Sequence, residues 1–230
     1  YILKILLMKI NNYIIKNIGK ILSESYKWRN RELLEKSGST IPILTFGKAV
    51  NYNKYYLIIS LIISVFIEKL FAEKITTFLM TSLSIFIGLF ISILILIFDK
   101  FLNRNEKYKK EIIETRNPDL KPNFIRTRNF TRRFTFVLLE SLIIAFSTIV
   151  LLLISLVYND IFLENLLDYK FVGVDIIKPE NISTFFINFF IIITKTLIVT
   201  LLIRFCIFLF FLIGSLGEYM KGVLYGKVDI

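Results

Sequence analysis

The run Ile75–Phe98, ITTFLMTSLSIFIGLFISILILIF, holds 24 consecutive residues without a charged side chain. About 20 predominantly apolar residues suffice to cross the hydrocarbon core of a bilayer as a helix, so this stretch alone places the chain in a membrane. Three further apolar stretches surround it: Tyr55–Phe71 before it, Phe134–Tyr158 and Thr184–Leu216 after it. Only Ala72-Glu73-Lys74 separates the first two, which predicts a tight antiparallel hairpin. The last stretch would be ~50 Å long as a continuous helix at 1.5 Å per residue, beyond the ~30 Å core. Either it tilts and projects from the membrane, or its end, Phe205–Leu216, bends into the interface. The expected fold is therefore an all-α integral membrane protein with four transmembrane helices, a hairpin plus two. At 55% hydrophobic residues and a mean hydropathy of +0.67, the 230-residue chain exceeds the roughly 45–50% of soluble domains.

Charge sets the expected orientation. Lys and Arg number ten in residues 1–54 and eleven in the basic loop 99–133, but two in the acidic loop 159–183, where five acids sit. The positive-inside rule then puts both termini and loop 99–133 inside, and loop 159–183 outside. Arg126, Arg128, Arg132 and Arg133 lead into the third span as an interfacial anchor, and anionic lipid head groups are the expected neighbours of this face. Nucleic acid is not expected as a partner, because the basic stretches contain no reading motif. Asp99–Arg116 reads as an extension of the second helix into water, stopped by Asn117-Pro118-Asp119.

Residues 1–54 form an N-terminal interfacial region ahead of the span domain 55–230. At 100° per residue Leu7, Ile10, Ile14, Ile18, Ile21 and Leu22 share one face and Lys9, Lys16 and Lys20 the other, which predicts an amphipathic helix over residues 3–22. It lies along the inner interface or packs on a partner. Tyr1–Met8 lacks a signal-peptide pattern, and Met8 is one alternative translation start.

The inventory of reactive groups is short. There is no His, no Gln and one cysteine, Cys206, within an apolar segment. His-ligated haem, copper or catalytic zinc, iron–sulfur clusters, and Ser/His or Cys/His nucleophile machinery all require more than this. No cofactor and no enzymatic activity are expected. Forty-one isoleucines against three alanines and four prolines suggest AT-rich coding DNA, as in an organellar genome such as the mitochondrial one, or in an AT-rich bacterium.

Two sets of residues in the spans stand out. Small residues recur at four-residue spacing: Ser60 and Ser64, then Ser84, Gly88 and Ser92, then Ser141 and Ala145. Such stripes let helices approach closely in lipid. The second set is charged: Glu68, Glu140, Lys195 and Arg204. A charge near the bilayer centre costs at least ~2.5–3.5 kcal/mol and needs a partner. Glu140 and Arg204 come to comparable depth on oppositely running spans and are the expected pair. Lys195, nine residues before Arg204 and on the opposite face of its helix, calls for Glu68 or Glu73 instead.

The expected function is that of a non-catalytic subunit in a multi-subunit membrane complex, such as an accessory subunit of a respiratory or ATP-synthase assembly in an inner membrane. The alternative is a homo-oligomeric ion channel or membrane-perturbing effector, for example in bacterial defence.

Overall fold

The computed structural model describes residues 13, 16–29, 46–67, 71–115, 120–158 and 179–224. Five helices, and no strand, occur among them. We number them α1 (residues 16–29), α2 (Phe46–Phe66), α3 (Glu73–Thr115), α4 (Leu120–Val157) and α5 (Pro179–Leu224).

Three helices contain apolar segments long enough to cross a membrane: Glu73–Asp99 in α3, Arg128–Val157 in α4 and Phe189–Glu218 in α5, of 27, 30 and 30 residues. They match the expected second, third and fourth spans. The first falls short, because the apolar part of α2 is Asn53–Phe66, ~21 Å at the helical rise against a ~30 Å core.

Local chemistry explains the boundaries. The Ile67 amide donates to the Ile63 carbonyl at 2.9 Å and closes α2. Glu73 opens α3 in its first turn, where the positive end of the helix dipole favours a carboxylate. The Thr76 hydroxyl donates to the Phe71 carbonyl at 3.1 Å and the Thr76 amide to that of Ala72 at 3.0 Å. Glu73 and Lys74 thus belong to α3 and not to the expected three-residue link. Beyond Asp99, the end of its apolar segment, α3 continues to Thr115, as the sequence predicts. The stretch 99–133, read as a loop, is largely helical: α4 starts at Leu120 and carries all four arginines of the interfacial anchor in its helix. Charged and polar side chains do not interrupt a helix whose backbone bonds are internal, so charge marks the membrane edge without marking a helix end. Pro179 sits in the first turn of α5, where a missing N–H costs no intrahelical bond. From there α5 runs unbroken for 46 residues, so Phe205–Leu216 continues the helix.

The chain divides into two compact units. Residues 1–45, 88–143 and 208–230 form unit 1; residues 46–87 and 144–207 form unit 2. The unit 1 core contains Phe90, Phe134, Val137, Leu138, Phe208 and Leu212. That of unit 2 contains Phe71, Leu83, Ile144, Leu152, Ile191 and Ile198, and Phe86 meets Phe205 edge to face with ring centroids 5.6 Å apart. Apolar residues that face outward are numerous on α3, where 11% of the span window is buried against 44% in α4 and 33% in α5. In the hydrocarbon core such residues face lipid or another protein.

Candidate functional site

Unit 1 is organised around a buried carboxylate. Glu140 is 1% exposed, and two side chains of α1 reach it: the Ser25 hydroxyl donates at 2.6 Å and the Arg29 guanidinium at 3.2 Å, both to Oε2. Ser25 is fully buried, and the Arg29 side chain is 9% exposed. The α1 face bearing them makes further contacts. Arg29 lies over the Phe208 ring of α5 with Cζ 4.7 Å from the centroid, and Trp28 receives Arg132 of α4 at 5.9 Å. Arg133 covers Phe211 at 4.9 Å. Charge-assisted hydrogen bonds at Glu140 and the Arg132–Trp28 contact tie α1 to α4, Arg29 over Phe208 ties it to α5, and Arg133 over Phe211 joins α4 to α5.

Ser25, Trp28 and Arg29 are partners the sequence reading missed. A signal exists in the sequence: Ile18, Ile21, Ser25 and Trp28 follow each other at three- and four-residue steps, so the apolar stripe of α1 runs directly into the docking residues. Lys16 and Lys20 are exposed as expected of the opposite face. Lys9, and the rest of the expected helix before residue 16 apart from the helical Tyr13, lie outside the described residues.

In unit 2 the buried charge is Lys195, 1% exposed. No hydrogen bond or ion pair reaches it among the described residues. Glu73, one of its expected partners, is exposed and makes no ion pair with it; Glu68, the other, lies outside the described residues. Around Lys195 in sequence, Thr194, Thr196 and Thr200 are also buried. Arg204 is half-buried in unit 2. Its pairing with Glu140 of unit 1 stays an expectation.

The small residues separate into two groups. Ser60, Ser64, Ser141 and Ala145 are buried within the chain, at 0–1% exposure. Ser84, Gly88 and Ser92 all face outward, and a Cβ added at Gly88 would meet nothing within 4 Å. The Ser84 hydroxyl donates to the Met80 carbonyl at 2.8 Å and that of Ser92 to the Gly88 carbonyl at 3.0 Å, so neither presents an unsatisfied group to lipid. Of the interfacial arginines, Arg132 is exposed and Arg128 and Arg133 are half-buried, while the Arg126 side chain lies outside the described residues. Comparison of the chain with family models, with curated proteins and with solved structures yields no match.

Proposed function

We propose that the protein is a non-catalytic integral membrane subunit that joins a larger assembly through the outward face of α3. The observation that carries this reading is a continuous stripe: Thr77, Thr81, Ser84, Gly88 and Ser92 are all exposed, and at 100° per residue they fall within an arc of about 80°. Small residues on a lipid-facing helix surface allow the close backbone approach by which membrane helices associate. A face that contacted only acyl chains would have no use for a groove, and large apolar residues such as Phe78, Ile85 and Leu89 flank this one.

A fourth crossing through α2, with both termini on the basic side, belongs to this proposal. Only four residues separate Thr115 from Leu120, which supports placing the end of α3 and the start of α4 on one side of the membrane. α1 is bound to the arginine-rich start of α4. α2 then leads from that side to Glu73, at the far end of a 27-residue apolar segment. Single cysteines replacing Lys16, Lys109 and Asp168, in a Cys206→Ser background, test it with a membrane-impermeant maleimide. The first two are expected to react from one side and the third from the other.

The assembly test replaces Ser84 or Gly88 with Phe, which fills the groove. Wild-type protein extracted in mild detergent should migrate well above 27.0 kDa plus its detergent belt; both variants should fall to the single-chain size with helicity unchanged. Unaltered migration in the variants would sink the reading. The same experiment addresses the second reading, a homo-oligomeric channel, which the buried polar groups of unit 2 favour: a complex containing this chain alone would move it to first place.

A further inference from the structure

A second set of contacts in unit 1 lies closer to the start of α4 than Glu140. Arg132 stands over the Trp28 ring at 5.9 Å and Arg133 over the Phe211 ring at 4.9 Å; Arg29, next to Trp28 in sequence, covers Phe208, one turn from Phe211, at 4.7 Å. α1, α4 and α5 therefore meet here, and the side chains these contacts join include three guanidiniums and one carboxylate. That carboxylate is Glu140, and Arg29 already pairs with it at 3.2 Å. An aromatic ring holds a guanidinium in position but brings no counter-charge. Arg132 is exposed and makes no hydrogen bond or ion pair among the described residues.

We propose that this junction of α1, α4 and α5 holds the head group of an anionic phospholipid, with Arg132 and Arg133 on its phosphodiester. The level fits. Arg132 and Arg133 lie ~6 and ~8 Å along the helix from Arg128, where the apolar segment of α4 begins, and Phe211 lies ~10 Å from the end of the α5 segment at Glu218. Arginine side chains at that depth reach the head groups by extending toward the membrane edge, which is also where tryptophan is enriched. The site requires only that α4 enters the membrane from Arg128, and it stands apart from the α2 crossing and the α3 assembly proposed above.

The chemistry selects the lipid. A guanidinium presents planar N–H donors that match two phosphate oxygens at once, and it is more weakly hydrated than an ammonium. Phosphatidylcholine carries the same phosphodiester, but its quaternary ammonium cancels the charge. Phosphatidylglycerol carries no such cation, so it offsets the surplus of guanidinium at the junction. Lys16 and Lys20, exposed on the other face of α1, attract anionic lipid only through a field that is screened within ~10 Å at 0.1 M salt. Arginines held against rings on three packed helices form instead a site that one head group fills.

Trp28, the only tryptophan of the chain, reports on the site. The full chain is reconstituted in vesicles of phosphatidylcholine and phosphatidylglycerol, one or the other lipid carrying a nitroxide quencher near the head of an acyl chain, at a salt concentration that screens surface charge. Labelled phosphatidylglycerol should quench Trp28 more than labelled phosphatidylcholine at equal mole fraction. The quenching should saturate, and unlabelled phosphatidylglycerol should reverse it while inorganic phosphate does not. Arg132→Gln and Arg133→Gln should each lower the preference about fivefold. Lys16→Gln with Lys20→Gln should leave it unchanged. An emission maximum at the wild-type position shows that α1 is still docked in each variant; where it shifts, competition in the wild type decides alone. Equal quenching of the wild type by the two lipids overturns the site, as does a preference that survives in docked arginine variants or disappears in the lysine variant. Reversal by inorganic phosphate would overturn it too, in favour of a soluble anion.

Discussion

Glu140 and Lys195 are buried to the same degree, at 1% exposure, in two different units of one chain, and their surroundings could hardly differ more. Glu140 receives a hydroxyl and a guanidinium from a helix more than a hundred residues away. Lys195 receives nothing from the described residues. A buried charge that is paired organises structure, because each partner is costly without the other. One that is left without a partner is a cost that loss of the proton or a bound ligand offsets. Unit 1 accordingly reads as a clamp for α1, whereas the lysine of unit 2 has no such clamp among the described residues.

The sharpest way to break this contrast is to remove one half of the pair. Glu140→Gln or Arg29→Leu removes one half of the buried ion pair, and each should destabilise the protein by ~3–5 kcal/mol, measured by denaturant titration in detergent. The double variant should recover part of that loss. Additive losses would mean that the two side chains do not act as a unit, and the clamp reading would fail.

Lys195→Met should have the opposite sign. Replacing a buried charge with an apolar side chain of similar length removes a desolvation penalty, so the variant should gain on the order of 1–4 kcal/mol. A loss of stability in Lys195→Met would show that the lysine is paired like Glu140, and the contrast between the units would vanish.

The sequence discloses these two regions unequally. Apolar length alone reveals α3, α4 and α5, because a run such as Ile75–Phe98 has no soluble alternative. The same criterion does not carry α2 as far, since Glu68, Lys69 and Glu73 crowd the end of its apolar run and the described apolar segment is Asn53–Phe66. Intramembrane charges are equally visible, and Glu140 and Lys195 were both legible as exceptions. Their partners were not. The depth of Glu140 in its own helix says nothing of α1, whose register against α4 depends on Ser25 and Arg29 being one turn apart and 115 and 111 residues distant in sequence. Nor does four-residue spacing distinguish Ser60 and Ser64, which turn inward, from Ser84 and Gly88, which turn outward; that choice is made by which side of each helix its neighbours cover.

Within the clamp, Ser25→Ala tests how much of the Glu140 environment is hydrogen bonding. It removes a 2.6 Å donor to a carboxylate and leaves the guanidinium in place. Hydrogen bonds to charged groups contribute about 1.5–3 kcal/mol, so the effect should be smaller than that of Arg29→Leu and in the same direction. Equal losses in the two variants would make the hydroxyl, and not the ion pair, the main attachment of α1.

The smallest effect expected is at Arg132, and it is also the one that separates docking from decoration. Arg132 is exposed and sits 5.9 Å over the half-buried ring of Trp28, the only tryptophan in the chain. A cation–π contact at an exposed site contributes about 0.5–1 kcal/mol, so Arg132→Gln should lower the thermal midpoint by about 1–4 °C. Trp28 reports its own surroundings, because no other indole contributes to the emission. If Glu140 holds α1 in place, Arg132→Gln should leave the Trp28 emission close to that of the wild type, while Glu140→Gln shifts it to longer wavelength as the ring becomes exposed. A full red shift on losing Arg132 alone would put the clamp at the membrane-edge arginines, and the buried carboxylate would then be a consequence of docking and not its cause.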